Sequence, residues 1–159
     1  RRGCAADAMT SNDRQLARAL VGGQFLLLGL WAVTGHALAA APWARGVQAA
    51  GVILAFWAFA VMTIAQRRLF RISPDPTGHS TLVRSGPYRW IRHPMYTSIL
   101  VVIGASAADW GTGTGWMLFA ALAAVLWSKL NFEERLLLEA FPDYAAYRTQ
   151  SWRLIPPLY

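Results

Sequence analysis

The sequence predicts an all-α polytopic membrane protein with four transmembrane helices and a cytoplasmic C-terminal amphipathic helix. Its composition is the first reason, because 55% of the 159 residues are hydrophobic and only 14% are charged, which is unusual for a soluble domain. The placement of the charges is the second reason. Three long stretches contain no Asp, Glu, Lys or Arg: 19–44, 46–66 and 110–128. Each is close to the roughly 20 residues that a helix needs to cross a bilayer.

A fourth, shorter uncharged stretch covers residues 93–108, and a span there has to recruit polar residues at its ends. Closed barrels are the other structures that cross membranes, but these stretches show no alternation of apolar and polar residues. Helices are therefore predicted. The four spans are expected at about residues 16–40, 46–68, 94–110 and 114–132.

The individual helices have recognisable ends and contact surfaces. The first contains Gly22, Gly23 and Gly29, small residues that let another helix approach closely inside a bilayer. The third begins at Pro94, which suits the first helical position and places His93 at the N-cap. The third and fourth helices form a hairpin with its turn at residues 111–115. After Phe132 the chain is expected to leave the membrane as an amphipathic cytoplasmic helix.

The positive charges predict the orientation. Of the 15 Lys and Arg residues, 14 fall on one side of a four-span topology, and only Arg45 falls on the other. The positive-inside rule then places both termini and the active site in the cytoplasm. The net charge of +7 could also suggest a protein that binds nucleic acid. The segregation of the charges argues against this, because basic patches that bind nucleic acid are usually interleaved with polar residues on a soluble fold.

The chain is expected to form one membrane-embedded domain over residues 13–159, preceded by a flexible arm over residues 1–12. A single cysteine, Cys4, allows neither an intramolecular disulfide nor a metal site built from several cysteines, and no metal is expected. Phosphate-binding loops, dinucleotide fingerprints, nucleophile elbows and zinc helices are absent from the sequence.

Chemistry is expected from the polar stretch Leu82–Ser98, "LVRSGPYRWIRHPMYTS", which lies between apolar runs. A helix start at its Arg-His-Pro could bind an anion or an electron-rich ligand edge, or it could be an interfacial anchor only. The adjacent Glu133 and Glu134 suggest a cationic or hydroxyl-rich partner, because paired carboxylates beside a bilayer repel each other. Alternatively, Arg92 or Arg89 pairs with them, or they form a solvated helix start.

The ordered combination of "LVRSGPYRWIRHPMY", "EERLLLEAFPDYAAYR" and "RLIP" resembles the integral-membrane family of isoprenylcysteine carboxyl methyltransferases and phospholipid methyltransferases. The resemblance covers about half of the chain and implies a small helical bundle that holds S-adenosylmethionine at the cytoplasmic side. It implies Arg153 near the acceptor. It implies cofactor contacts from Gly86, Tyr88, His93, Pro94, Tyr96, Glu133 and Glu134.

These residues suit methyl transfer, which needs no metal. Aromatic rings attract a sulfonium, and a glutamate binds amino or hydroxyl groups. A carboxylate acceptor needs an orienting cation, for which Arg153 and then Arg92 are the catalytic candidates. An amine acceptor must lose a proton, with His93 or Glu134 as the base. The arginine surplus favours O-methylation of a prenylcysteine-like carboxylate on a lipophilic or lipidated acceptor within the membrane lipids.

Other functions stay open at this point. Within the same class, the alternative is N-methylation of a phospholipid ethanolamine headgroup. From other classes, the chain could be a non-enzymatic membrane scaffold or sensor that retains the fold, or a membrane reductase of the sterol type that uses a nicotinamide cofactor. Binding of S-adenosylhomocysteine would separate the methyltransferases from both.

Overall fold

The protein is all-helical over residues 10–34, 37–72 and 82–156, which are the part of the chain described by the computed structural model. This confirms the all-α part of the predicted fold class. A turn of 3-10 helix over Gly86–Arg89 stands between the second and third α-helices. The α-helices of the described part are α1 (Ser11–Val33), α2 (Pro42–Ile72), α3 (Pro94–Trp110), α4 (Gly113–Ala140) and α5 (Tyr144–Gln150).

Three helices are long and apolar enough to cross a membrane: α1, the Pro42–Ala65 part of α2, and α4. Their outer surfaces carry large apolar side chains such as Phe25, Ile53 and Phe56, all more than 60% exposed. Helix α3 forms where the third span was predicted, but its 17 residues measure only about 26 Å at 1.5 Å per residue. That is shorter than the roughly 30 Å hydrocarbon core, so the crossing by α3 stays a prediction.

Helix α1 begins at Ser11, earlier than the predicted residue 16. Thr10 and Asp13 form a reciprocal capping box, in which the Thr10 hydroxyl accepts from the Asp13 N–H at 3.1 Å. This satisfies two backbone donors that a helix start otherwise leaves open. Most of the predicted flexible arm, residues 1–9, lies outside the described residues.

The helices pack as two pairs, α2 against α3 and α1 against α4, joined through contacts between α3 and α4. Ile103, Leu122 and Leu126 form the buried core between these elements. Close approach occurs at Gly51 of α2, where an added Cβ would meet Val102 Cγ2 at 2.8 Å. Among the residues that the structure describes, Gly22 and Gly29 of α1 do not serve this purpose, since no atom lies within 4 Å of such a Cβ.

No new helix begins after residue 132, where the amphipathic cytoplasmic helix was expected. Helix α4 runs without interruption from Gly113 to Ala140. Residues 128–140 contain neither Gly nor Pro and are rich in Leu and Glu, which are strong helix formers. The helix ends only at Phe141, which is extended because Pro142 follows it.

One end of the bundle is closed by hydrogen bonds between the loop before α2 and the end of α3. The Asp109 carboxylate accepts from the N–H groups of Ala40 and Ala41, and the Trp110 indole donates to the Leu38 carbonyl at 3.3 Å. The α3–α4 turn lies at this end, with Gly111 in the left-handed region at φ 61°. The start of α3 and the late turns of α4 therefore meet at the opposite end of the bundle.

Candidate functional site

The 3-10 turn brings the polar stretch against α2. Gly86 opens this turn with φ 59°, and an added Cβ there would meet Val61 Cγ2 at 2.7 Å. Both the backbone conformation and the close approach require glycine. Pro87 and Tyr88 of the turn are buried. Gly86 therefore shapes the site and does not line its cavity.

His93 is the N-cap residue of α3, and Pro94 occupies the first turn, as predicted. The His93 carbonyl accepts from the N–H groups of Tyr96 and Thr97, both at 3.1 Å. The imidazole makes no capping bond and is 8% exposed. Its Nε2 atom is buried without a hydrogen-bond partner among the described residues, although Glu134 Oε1 lies 3.5 Å away.

The C-terminal segment is fastened to this region by backbone pairing. The Arg92 N–H donates to the Trp152 carbonyl at 2.8 Å, and the Trp152 N–H donates to the Trp90 carbonyl at 2.7 Å. The Thr97 hydroxyl donates to the Leu154 carbonyl at 2.7 Å. Residues far apart in sequence are thereby held around the start of α3.

The two adjacent glutamates have different surroundings. The Glu134 side chain is 4% exposed and contacts Arg92 Nε at 2.8 Å and Arg153 Nη2 at 3.2 Å. It also accepts from the Tyr144 hydroxyl at 3.3 Å. Helix geometry turns consecutive residues about 100° apart, so Glu134 faces the arginines while its neighbour faces elsewhere.

Glu133 faces the other direction, towards α3. Its side chain is 36% exposed and accepts from the Tyr96 hydroxyl at 2.6 Å, with His93 Nδ1 3.9 Å away. The Tyr96 ring is stacked parallel to the His93 ring, with 5.5 Å between the two centroids. The Lys129 ammonium lies 5.1 Å from the centroid of the Tyr96 ring. Glu133 is thus the more accessible carboxylate, held by a single close hydrogen bond to a residue of α3.

A cavity of about 570 Å³ lies between the start of α3, the late part of α4 and α5. Its size is within the usual range for small-molecule sites. Its lining combines polar side chains with apolar ones, including Met62 of α2. The lining residues are Met62, Leu82, Val83, Tyr88, Arg92, His93, Pro94, Met95, Tyr96, Glu133, Leu136, Leu137, Phe141, Tyr144 and Tyr147.

Burial raises the pKa values of the Tyr88, Tyr144 and Tyr147 hydroxyls above the ordinary value of tyrosine. All three are therefore neutral at physiological pH. The Tyr147 hydroxyl donates to the Tyr88 carbonyl, and the Arg84 guanidinium lies 5.5 Å from the Tyr147 ring. These tyrosines give the cavity aromatic surface without negative charge.

The structure brings most of the predicted site residues together, and their roles as ligands stay predictions. Tyr88, His93, Pro94, Tyr96, Glu133 and Arg92 line the cavity. Gly86, Glu134 and Arg153 do not line it: Gly86 supports the turn behind it, and the other two pair with each other.

Sequence reasoning missed Tyr144 and Tyr147 as lining residues. The sequence indicates them by their three-residue spacing shortly after Pro142, which places both rings on one face of a short helix. Among residues 10–34, 37–72 and 82–156, no group of three or more His, Cys, Asp or Glu side chains is arranged to hold a metal ion.

Comparisons with known proteins bear on the same region. The family model described as phospholipid methyltransferase matches residues 43–144, which is more than half of the chain and includes the start of α3 and the glutamate pair.

The chain is also similar to the cobalt-zinc-cadmium resistance protein CzcN of Cupriavidus metallidurans, with 33% identity over 81 residues. That match covers 50% of this chain and 38% of the relative, so the chain spans well under two thirds of the relative's length. No solved structure matches. On the strength of the family match, the chain belongs to the phospholipid methyltransferase family.

Proposed function

We propose that the protein is an S-adenosylmethionine-dependent methyltransferase of the membrane, acting on a lipophilic acceptor. The observation that carries the proposal is the 570 Å³ cavity, which combines buried neutral tyrosines, an accessible carboxylate and a guanidinium at the end of an apolar bundle. The family match supports the same reaction class. We also propose that α3 completes a four-span topology with the cavity on the cytoplasmic side, as the charge distribution predicts.

The donor set fits the proposed cofactor. Tyrosine rings attract a cation such as a sulfonium, and Tyr88, Tyr144 and Tyr147 offer such rings to the cavity. Glu133 suits the amino group or the ribose hydroxyls of the cofactor, because a carboxylate accepts strong hydrogen bonds from both. When bound, the cofactor supplies an electrophilic methyl group. The protein would contribute mainly by holding acceptor and donor in line.

Glu134 has a different part in this proposal. It holds Arg92 and Arg153 in place. Because Arg92 lines the cavity, Glu134 positions a lining side chain without lining the cavity itself. Arg92 is the guanidinium that lines the cavity, so it is the first candidate to orient a carboxylate acceptor. Arg153, which pairs with Glu134 and Asn131, would support it.

The proposed acceptor reaches the cavity along its apolar lining. This lining includes Met62 near the end of the α2 span, Leu136 and Leu137 in the late turns of α4, and Phe141 at its C-cap. The leading acceptor is a prenylcysteine-like carboxylate, favoured by Arg92. The alternative is a phospholipid ethanolamine amine, favoured by His93, which lines the cavity as a proton acceptor, and by the description of the matching family.

A methylation assay tests the proposal. Purified protein is incubated with methyl-labelled cofactor and a lipid extract, and the organic phase is counted before and after base treatment. Label that base releases indicates an ester and a carboxylate acceptor, whereas base-stable label indicates an amine. Glu133→Gln is expected to reduce incorporation at limiting cofactor by about tenfold, the effect of losing one charge-assisted hydrogen bond. No incorporation by the wild type under any condition would favour the scaffold or sensor.

A further inference from the structure

Lys129 is the single lysine of the sequence, and every other residue of its charge is an arginine. It directly follows the uncharged stretch 110–128, within a helix that is long and apolar enough to cross a membrane, and it is half-buried. A charged side chain in such a helix is costly, and it usually pairs with a partner and serves a function. Lys129 does not line the 570 Å³ cavity, so its function is not contact with a ligand there.

The Lys129 ammonium contacts two other helices. It donates to Gln24 Oε1 of α1 at 3.0 Å, and it lies 5.1 Å from the centroid of the Tyr96 ring of α3. Gln24 is only 7% exposed, so this hydrogen bond holds the ammonium inside the bundle. An ammonium over the face of a tyrosine ring is attracted to it, and the attraction increases where water is excluded. Lys129 therefore fixes the Tyr96 ring from the side of α4.

Tyr96 carries this contact to the cavity. Tyr96 and Glu133 both line the cavity, and the Tyr96 hydroxyl donates to Glu133 Oε1 at 2.6 Å. Lys129 and Glu133 are four residues apart on α4, so they lie on the same face of that helix. Tyr96 contacts both of them, with its ring near Lys129 and its hydroxyl on Glu133. Because the hydroxyl moves with the ring, the contact that holds the ring also holds this hydrogen bond.

We propose that Lys129 is a positioning residue for the methyl-donor site: it fixes the Tyr96 ring so that the Tyr96 hydroxyl orients Glu133 towards the cofactor. This inference rests on the proposed function, because it takes Glu133 as a cofactor ligand. It also gives α1 a part in the site through Gln24, although none of the described residues of α1 lines the cavity. A lysine that only joined α4 to α1 would have no effect on ligand binding.

The test removes the polar pair without leaving either group unpaired. Gln24→Leu combined with Lys129→Met puts apolar side chains at both positions, which is expected to leave the stability close to that of the wild type. S-adenosylhomocysteine is titrated calorimetrically into the purified full chain in detergent. This probe lacks the sulfonium charge, so repulsion between a sulfonium and the lysine does not contribute. We expect binding to weaken about fivefold, which corresponds to roughly 1 kcal/mol. Wild-type affinity in the folded double variant overturns the proposal.

A double-mutant cycle tests whether the effect passes through Tyr96. Tyr96→Phe keeps the ring and removes the hydroxyl, so adding Lys129→Met to it should change the affinity by less than about twofold. A further fivefold loss in that background would show that Lys129 acts without the hydroxyl, and it would overturn the proposal. Arg135→Gln is the matched control, because it removes a positive charge from the same helix at an exposed side chain that pairs with Asp13. Its affinity should equal that of the wild type.

A second readout needs no ligand. In protein labelled with ¹³C at the glutamate carboxyl carbon, the Glu133 resonance is identified by its loss in Glu133→Gln. Lys129→Met is expected to move this resonance in the same direction as Tyr96→Phe, and Arg135→Gln to leave it unchanged. A Glu133 resonance that does not respond to Lys129→Met overturns the positioning role. If the wild type binds no S-adenosylhomocysteine but the resonance responds, the methyltransferase is contradicted and the control of Glu133 by Lys129 is supported.

Discussion

The adjacent glutamates provide the sharpest test of the site, because the same substitution at each should have opposite effects. Glu134→Gln removes the negative charge that faces Arg92 and Arg153 at 2.8 and 3.2 Å. The Arg92 contact is a charge-assisted hydrogen bond and the Arg153 contact is a buried ion pair. We assign each about 1.5–3 kcal/mol, the range for a hydrogen bond to a charged group. Since the amide oxygen of Gln can still accept one bond, we take the lower value for each, which gives about 3 kcal/mol. This agrees with the ~3–5 kcal/mol expected when one partner of a buried ion pair is removed.

For a chain of this length, about 3 kcal/mol corresponds to a fall of roughly 10 °C in the apparent Tm. The assay is thermal unfolding in detergent, followed by intrinsic tryptophan fluorescence. Glu133→Gln is the control, because Glu133 is 36% exposed and has one close hydrogen bond, to Tyr96. We expect its apparent Tm to lie within about 3 °C of the wild type, a change of ~1 kcal/mol or less.

For ligand binding, the expected order of the two variants is the reverse of that for stability. Glu133→Gln is expected to weaken S-adenosylhomocysteine binding about tenfold, whereas Glu134→Gln that remains folded at low temperature is expected to lose much less affinity. Equal apparent Tm values for the two variants would refute the assignment of Glu134 to the arginine cluster. A loss of ligand affinity in Glu134→Gln without any loss of stability would show that it contacts the cofactor directly.

Three further predictions concern the scaffold. Gly86→Ala should lower stability by about 2 kcal/mol, because it forces an L side chain to φ 59° and against Val61. Gln24→Leu should cost about 1–2 kcal/mol, because it removes the group that accepts from the Lys129 ammonium at 3.0 Å; adding Lys129→Met should restore most of that loss. Asp109→Ala should cost about 1 kcal/mol, because its carboxylate caps the backbone N–H groups before α2. Thermal unfolding measures all three.

Each of these predictions has a control or a contradicting result. Gly22→Ala is the control for Gly86→Ala: its added Cβ meets no atom of the described residues within 4 Å, so stability should be unchanged or slightly higher. If the double variant with Gln24→Leu and Lys129→Met is no more stable than Gln24→Leu alone, the stability loss does not come from the lost hydrogen bond of the Lys129 ammonium. Asp109→Asn keeps one acceptor oxygen, so an effect as large as that of Asp109→Ala would argue against capping.

The features that local chemistry determines could be predicted from the sequence. Uncharged stretches indicated all four helices of the bundle, because a hydrocarbon environment excludes ionised groups. The sequence also placed His93 at a helix cap before Pro94, since proline suits the first turn. Gly111 was expected in the turn between α3 and α4, and it stands there in the left-handed conformation.

The features that depend on packing could not be predicted. Glu133 and Glu134 are chemically identical in the sequence, and only the rotation of α4 against α3 decides which one faces the arginines. The continuation of α4 to Ala140 was obscured by the change from apolar to charged residues, which marks a membrane boundary and not a helix end. Arg148 joins Arg92 only because the C-terminal segment pairs with residues 90–93.

The central claim is that the 570 Å³ cavity binds the methyl donor, and calorimetry with S-adenosylhomocysteine on detergent-solubilised protein tests it most directly. We expect saturable binding by the wild type with a Kd below about 1 mM, an affinity near −4 kcal/mol or stronger, and weaker binding by Glu133→Gln. Absence of binding by folded wild-type protein at that concentration would contradict the claim.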